Sequence, residues 1–266
     1  MAYLILLLIF SGCLTGVLAG LLGIGGGIII VPVLAFVFHQ LPETTNCYMQ
    51  FAAGTSLGIM IFTALSSVPH KLRAREVSFD IAIKMLPWII SMNIVGAIIA
   101  HFLSSRLLGL LFALLMLSMF LRMLFQPSHA IDKPKRSGKR KSAFWGSIVG
   151  IKSGFFGIGG GIITIPYINS LGYSIRIAIG TSSLFTLIIA ITGSITFIVT
   201  GLMDHIELSW SLGYLYLPAI LCVVTSSMLF SKIGAKLSSK TPPKVLKVIF
   251  LVLLLVVSIK MLLIAI

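Results

Sequence analysis

One glycine-rich segment occurs twice in the chain. Residues 20–32 read GLLGIGGGIIIVP and residues 154–166 read GFFGIGGGIITIP, with nine of the thirteen positions identical. Both segments lie within apolar stretches, where each Gly costs an α-helix about 1 kcal/mol relative to Ala. We therefore expect a helix break at each glycine triplet, which comprises Gly25, Gly26 and Gly27 in the first copy and Gly159, Gly160 and Gly161 in the second.

The composition is that of an integral membrane protein. Of the 266 residues, 58% are hydrophobic and only 10% are charged, and the mean hydropathy is +1.12. We expect a multi-pass protein of the cell membrane, which is the inner membrane in a Gram-negative bacterium, surrounded by the lipid bilayer. In lipid, broken backbone is tolerated only where protein buries it or where it lines a cavity. Each glycine break is therefore expected to have a role.

The polar composition excludes several kinds of site. Cys13, Cys47 and Cys222 share no motif spacing, so we expect no disulfide, no bound metal and no cofactor. The formal net charge of +14 comes from basic residues in loops between apolar segments, where such residues fix membrane topology. We therefore expect no nucleic-acid partner. The sequence leaves the oligomeric state open and is compatible with a homo-oligomer.

Further repeats show that the chain is a tandem duplication. Gly12, Gly16 and Gly20 recur 134 residues later as Gly146, Gly150 and Gly154, a ridge of small residues that lets helices approach closely. AAGTSL at 52–57 returns as AIGTSSL at 178–184. We infer a first membrane repeat at residues 1–125, a basic cytoplasmic linker at 126–142 and a second membrane repeat at 143–266.

Six apolar segments have the length of a bilayer-spanning helix, about 20 residues. Basic residues cluster near 71–84, 133–141 and 232–247, and these loops are expected to be cytoplasmic, whereas 39–50 and 201–209 contain no Lys or Arg and are expected outside. The predicted spans are residues 51–69, 82–102, 107–125, 177–200, 210–231 and 245–265.

The loop charges predict how the glycine segments lie in the membrane. Residues 143–171 have to begin and end on the cytoplasmic side, as a re-entrant hairpin does, and residues 2–38 form the matching hairpin from outside. The predicted fold is an all-α polytopic membrane protein with two inverted repeats, each a Gly-broken re-entrant helical hairpin plus three transmembrane helices. The alternative, in which both glycine segments span fully, gives parallel repeats and places the basic loop at 232–247 outside.

The twin GxGGGxxxxP motifs, each followed by a GTS triplet, resemble the TauE/SafE family of sulfite and organosulfonate exporters. The resemblance covers essentially the whole chain. It implies a secondary carrier of small anions such as sulfite, sulfoacetate or other sulfonates. The positions that match the family's motif are Gly23, Gly25, Gly26, Gly27 and Pro32 in the first copy, and Gly157, Gly159, Gly160, Gly161 and Pro166 in the second.

The residues themselves also indicate anion chemistry. A glycine turn that leads into a helix presents backbone N–H groups at the positive end of the helix dipole, which suits an oxyanion. Inverted repeats with paired interruptions place the substrate near the midplane, where the repeats meet. Hydroxyl donors are predicted from Thr55, Ser56, Thr164, Thr181 and Ser182. The alternative is that the glycines only allow close packing and the hydroxyls bond back to their own helices.

Lys152 is a candidate counter-charge to the anion. It lies within the first arm of the second hairpin, whereas the other basic residues fall in loops or at membrane edges. An ionisable residue inside the membrane is by default a functional hypothesis. The alternative is that its side chain snorkels to the cytoplasmic interface. His101 and Asn93 are weaker candidates.

These patterns predict a secondary transporter of small anions, with an anion channel as the alternative. No Asp or Glu falls within a predicted span, so the carboxylate relay typical of proton-coupled pumps is missing. No nucleotide-binding motif and no catalytic constellation is present, so we expect no enzymatic activity. The anion, the direction of transport and the coupling ion stay open.

Overall fold

The computed structural model describes residues 8–17, 26–125, 138–204, 208–240 and 243–265. Almost all of this part of the chain is helical, as predicted. The helices are α1 (Leu8–Val17), α2 (Gly27–His39), α3 (Tyr48–Arg73), α4 (Phe79–Phe102), α5 (Ser105–Phe125), α6 (Lys139–Phe156), α7 (Gly161–Ser170), α8 (Ile175–Met203), α9 (Leu217–Lys240) and α10 (Pro243–Ala265).

The predicted spans correspond to α3, α4, α5, α8, α9 and α10. Within the described residues, α3, α4, α5 and α8 are long and apolar enough to cross a membrane, which confirms a polytopic all-α membrane protein. The predicted start of the fifth span at residue 210 is wrong. Residues 211–216 form a two-stranded antiparallel hairpin, β1 (Ser211–Leu212) and β2 (Leu215–Tyr216), whose turn contains Gly213 at φ +57°.

The second glycine segment folds back on itself. α6 ends at Phe156, and Gly157 adopts the left-handed conformation that commonly ends helices. Trp145 near the start of α6 stacks on Tyr167 near the end of α7, with ring centroids 5.1 Å apart. The two helices therefore run side by side in opposite directions. The break covers residues 157–160, earlier than predicted, and Gly161 already belongs to α7.

The first glycine segment is described only from Gly26 onward. Gly26 precedes α2 at φ +72°, a conformation that L side chains rarely adopt, and Gly27 is the first residue of the helix. Gly25, Gly23 and Leu18 lie outside the described residues. The first break therefore ends at Gly26, and Gly27, predicted to lie in the break, belongs to α2.

The predicted ridge of small residues forms the close contact between α6 and α4. A Cβ atom added to Gly150 would lie 2.5 Å from the Ile89 carbonyl oxygen, and one added to Gly154 would collide with the carbonyl of Asn93. Residue numbers rise together along the contact, so the helices are parallel. In the first copy, Gly16 packs in the same way against Ser227 of α9. Each ridge therefore packs on a helix of the other half.

α3 and α8 cross in opposite directions through the middle of the molecule. The start of α3 meets the end of α8, because a Cβ on Gly54 would lie 3.2 Å from the Cβ of Phe197. The end of α3 leads to Ser78, which contacts Thr181 near the start of α8. Buried aromatic side chains fill the space between the helices, and the Tyr214 ring lies 6.2 Å from that of Phe197. The core thus joins the two halves.

Candidate functional site

The two glycine turns meet in the interior of the protein. A Cβ on Gly27 would lie 3.3 Å from the Cα of Ile158 and 3.4 Å from the backbone nitrogen of Gly159. The sulfur of Met60 lies against both turns. It would be 3.2 Å from a Cβ added to Gly27 and 3.4 Å from one added to Gly159. Gly27, Ile158, Gly159 and Met60 are all buried. The first residue of α2 therefore lies against the turn that leads into α7.

Both helices begin without a side-chain cap, because the preceding residue is glycine in each case. The Gly26 carbonyl accepts hydrogen bonds from the N–H groups of Ile29 and Ile30. The Gly160 carbonyl likewise accepts from the N–H groups of Ile163 at 3.3 Å and Thr164 at 3.1 Å. The earliest N–H groups of any helix have no partner within that helix. Two positive helix ends thus converge on one buried location, which favours a negatively charged ligand there.

Lys152 is buried next to this location. Only 5% of the residue is exposed, and its Nζ lies 3.5 Å from the carbonyl oxygen of Gly159, at the edge of hydrogen-bonding distance. Among the described residues, ion pairs form at Lys71–Glu76 and Lys84–Asp80, and His101 lies 3.4 Å from Asp204. None of these contacts includes Lys152. The ammonium group therefore points towards the second glycine turn rather than to a membrane interface, which does not fit snorkelling.

Three hydroxyl groups lie close to the second glycine turn, and a fourth belongs to Ser153, whose backbone carbonyl accepts the Gly157 N–H. Thr164 donates to the Gly160 carbonyl at 2.7 Å, and its oxygen is also 2.7 Å from that of Ser182. A Cβ on Gly159 would lie 3.0 Å from the hydroxyl of Thr186, which bonds back to α8. The fully buried Ser153 hydroxyl has no hydrogen-bond partner within the described structure. Such groups normally find one, so this hydroxyl is available to a bound ligand or water.

The GTS triplets lie at matching junctions between the halves. Thr55 accepts a hydrogen bond from the Tyr216 N–H at 3.0 Å, just before α9, and Thr181 accepts one from the Ser78 N–H at 2.9 Å, just before α4. The glycine before each Thr lets a carbonyl of the other half approach, that of Tyr214 at Gly54 and that of Glu76 at Gly180. The two threonine hydroxyls thus bond neither to their own helices nor to an open site.

The remaining predicted candidates lie at three different places. Ser56 is fully buried, and its hydroxyl has no partner among the described residues. Asn93 donates to the Ile189 carbonyl at 3.1 Å and to the Thr192 hydroxyl at 2.8 Å, and so ties α4 to α8. His101 lies at the end of α4, away from the glycine turns.

His101 belongs to a polar cluster that joins the two halves at the predicted outer end. Its Nδ1 lies 3.4 Å from both the Tyr214 hydroxyl and an Asp204 carboxylate oxygen, and Tyr214 donates to Asp204. Burial, with the Asp204 hydrogen bond and charge, raises the pKa of Tyr214, so the phenol stays a donor at physiological pH. Burial, with the nearby Asp204 charge, raises the pKa of the Cys47 thiol to about 11.

Sequence reasoning did not identify Met60, Ser153 and Thr186 as neighbours of the glycine turns. Thr186 follows the second GTS triplet by one helical turn, so the helical period could have placed it on the same face as Ser182. Ser153 follows Lys152 directly, and the helical period alone does not say that both side chains are buried. Met60 carries no local signal, because methionine is common in apolar spans.

The whole chain matches one family of membrane transport proteins. The pattern described as Sulfite exporter TauE/SafE matches residues 8–261. The chain belongs to this family. The TauE/SafE assignment agrees with the resemblance carried by the twin glycine motifs, and it places the protein in a family of membrane transporters.

Relatives of the TauE/SafE protein extend over nearly its full length. A probable membrane transporter protein of Haemophilus influenzae is 33% identical, with 97% of each chain covered. One of Methanocaldococcus jannaschii is 30% identical, covering 97% of this chain and 95% of the relative. The probable membrane transporter protein YunE of Bacillus subtilis is 25% identical, with 95% of each chain covered. No solved structure matches the chain.

Proposed function

We propose that the protein is a secondary carrier of small anions that binds its substrate between the two glycine turns. The observation that carries this proposal is the convergence of the α2 and α7 N-termini beside Lys152. A sulfite ion or an organosulfonate head group presents oxygen acceptors on several sides, so N–H groups from two helices can bind one anion at once. The TauE/SafE family favours oxidised sulfur compounds as the anion.

In the proposed site, the backbone and the side chains have different roles. Gly25, Gly26 and Gly27 with Gly159, Gly160 and Gly161 provide N–H donors and leave room for the anion. Lys152 supplies the full positive charge, and Thr164 and Ser182 form a hydroxyl pair at the second turn. Ser56 adds a buried hydroxyl in the first half. Thr55 and Thr181 belong to the proposed site as residues that hold the two halves around it.

We further propose that the halves are inverted relative to each other in the cell membrane. The antiparallel crossing of α3 and α8 and the exchange of contacts at the GTS triplets support this arrangement. Inverted repeats permit alternating access, in which one bundle rocks against the other around a site near the midplane. The hairpin formed by α6 and α7 then enters from the cytoplasm and returns to it.

Cysteine accessibility tests the inverted arrangement. In a cysteine-free background, single cysteines at Ser137 and Ser239 are expected to react with a membrane-impermeant maleimide only from the cytoplasmic side. A cysteine at Asp204 should react only from outside. Labelling of the Asp204 and Ser239 positions from one side would contradict inversion while leaving the site proposal intact.

Transport in proteoliposomes tests the function itself. We expect saturable uptake of radiolabelled sulfite, or of a labelled sulfonate such as sulfoacetate, and accelerated exchange when unlabelled anion is present on the opposite side. Liposomes without protein give the background uptake. Ohmic single-channel current in planar bilayers, without counterflow, would identify an anion channel instead of a carrier.

A further inference from the structure

An open groove separates α5 from α6. Its volume is about 620 Å³, within the ~300–1,000 Å³ typical of sites for organic ligands. The rings of Phe112 and Phe156 meet at one end, 5.7 Å apart, so the two helices run in opposite directions along the groove. Apart from Ser118, Arg122 and Lys152, the lining is apolar or aromatic, and it includes Leu111, Leu115, Met119, Trp145, Ile148 and Phe155.

The groove opens towards lipid rather than water. Large apolar side chains on both flanking helices are exposed, among them Leu114 and Leu121 of α5 and Phe144 of α6. In the proposed topology both helices lie in the membrane, so these side chains face acyl chains. An apolar groove of this size that opens on the bilayer is filled by hydrocarbon, because an empty groove forfeits the dispersion contacts of its whole lining.

Charge along the groove is positive and unbalanced. Arg122 is at the end where α6 begins with Lys139, Arg140 and Lys141, and within the described residues it forms no ion pair. Lys152 lines the other end, where its amine turns towards Gly159. The basic residues at the Arg122 end mark the cytoplasmic face. An occupant with an acidic head at Arg122 and a hydrocarbon body along the groove matches this distribution.

We propose that the groove binds one anionic phospholipid of the cytoplasmic leaflet. Its phosphate pairs with Arg122, whose planar guanidinium suits a phosphate oxygen pair. One acyl chain runs along Leu115, Ile148 and Phe155 towards the second glycine turn. There the chain covers the lateral side of the turn and keeps bilayer and anion site apart. The inference rests on the groove geometry and stands independently of the transported anion.

Trp145 reports directly on this groove, because it is part of the lining. In a Trp88→Phe, Trp210→Phe background it is the one remaining tryptophan of the chain. Nanodiscs are prepared with phosphatidylglycerol or phosphatidylcholine carrying identical brominated acyl chains, which quench tryptophan on contact. Quenching as a function of mole fraction gives the relative binding constant of the two lipids. We expect phosphatidylglycerol to bind roughly tenfold more tightly, as one charge-assisted contact permits.

Two matched substitutions on α5 test whether Arg122 causes the preference for phosphatidylglycerol. Arg122→Gln should remove the preference for phosphatidylglycerol, whereas Arg106→Gln, at the opposite end of α5 and also exposed, should leave it unchanged. Equal binding of the two lipids by the wild-type protein would overturn the proposal, as would a preference that survives Arg122→Gln. Soluble octanesulfonate that relieves the quenching at low concentration would assign the groove to a free organic anion instead. Failure in any of these arms leaves the proteoliposome transport test unaffected.

Discussion

The two GTS triplets form matching contacts, whereas the polar groups around the two glycine turns differ. Thr55 and Thr181 each accept an N–H from the residue before a helix of the other half. At the glycine turns, the offset of 134 pairs Lys152 with Leu18 and Thr164 with Ile30. The proposed two-fold arrangement requires the same backbone geometry on both sides. A single anion at its proposed centre would need only one full charge, and Lys152 supplies that charge from the second copy alone.

Substitutions in the glycine turns should give the largest effect. Gly26→Val and Gly160→Val place a branched side chain where two helix ends meet, and we expect both to abolish transport. Gly26→Val should also lose about 1–2 kcal/mol of stability, because φ is +72° there, whereas Gly160 has an ordinary φ of −61°. Uptake assays and thermal unfolding of the purified variants measure the two effects.

The alanine variants provide the control for this comparison. The three atoms nearest to a Cβ at Gly160 all belong to side chains, those of Ile189 and Val149 at 3.3 and 3.4 Å and the Thr164 hydroxyl at 3.6 Å, so Gly160→Ala should fold normally. Gly26→Ala retains the backbone strain. Wild-type uptake by Gly160→Val would show that the turns serve packing alone.

Removing the one charge that distinguishes the turns should weaken anion binding. Lys152→Met keeps the length and the apolar stem, and we expect affinity to fall by about 1–3 kcal/mol, the range for a charge-assisted hydrogen bond. Lys152→Arg should retain part of the affinity. The measurement is substrate binding to purified protein at two ionic strengths. The control is Lys84→Met, at an exposed ion pair with Asp80, which should bind the anion normally. Unchanged anion binding by Lys152→Met would show that the site consists of the glycine turns without Lys152.

The threonine contacts should prove equivalent. Thr55→Val and Thr181→Val each leave one N–H of the other half without its acceptor, at a cost of about 1–3 kcal/mol in unfolding free energy. Because the two junctions are far apart, the effects should add in the double variant. Thr→Ser substitutions keep the hydroxyl and should be close to wild type in the same unfolding measurement. A loss at only one junction would show that the halves are not held symmetrically.

The smallest effect is expected at the starts of α3 and α8. Ser174 caps α8 by accepting from the Ile177 N–H at 3.4 Å, whereas Cys47 gives α3 no cap. Ser174→Ala should cost about 0.5 kcal/mol, and Cys47→Ser should gain a similar amount. Thermal unfolding of the two variants and the wild-type protein under the same conditions measures both changes in stability. A loss of stability in Cys47→Ser would mean that the thiol's burial outweighs a cap.

Local sequence patterns predicted the features that depend on local physics. The spans follow from hydropathy, and the Gly146, Gly150 and Gly154 ridge follows from helical spacing, although its partner α4 does not. The break came earlier than predicted because Gly157, outside the triplet, takes the left-handed conformation against Ala53. The 211–216 hairpin was missed because it directly precedes the apolar start of α9, so the sequence reads as one continuous segment from residue 210.

The candidate site could be predicted only in outline. The twin motifs indicated that two turns matter, and the geometry places them together. The partners of Thr55 and Thr181 lie more than a hundred residues away in sequence, so no local pattern could reveal them. The orphaned hydroxyl of Ser153 is visible only once the helices are packed. Long-range contacts of this kind determine which polar side chains are hydrogen-bonded within the protein and which remain available to a ligand.

The parallel packing of α6 on α4 has a consequence for biosynthesis. When α4 enters the membrane, its partner has not been made, since α5 and the basic linker are still to be translated. Until then, the α4 face that includes Asn93 and Gly96 is exposed to lipid. The Asn93 side-chain amide on this face bonds to α8 only in the complete fold. Insertion of the first half is therefore expected to give an intermediate in which this polar face is uncovered until α6 packs on Gly96 and α8 accepts the Asn93 hydrogen bonds. Translation arrest before α6 should leave that face accessible to an insertase or a chaperone.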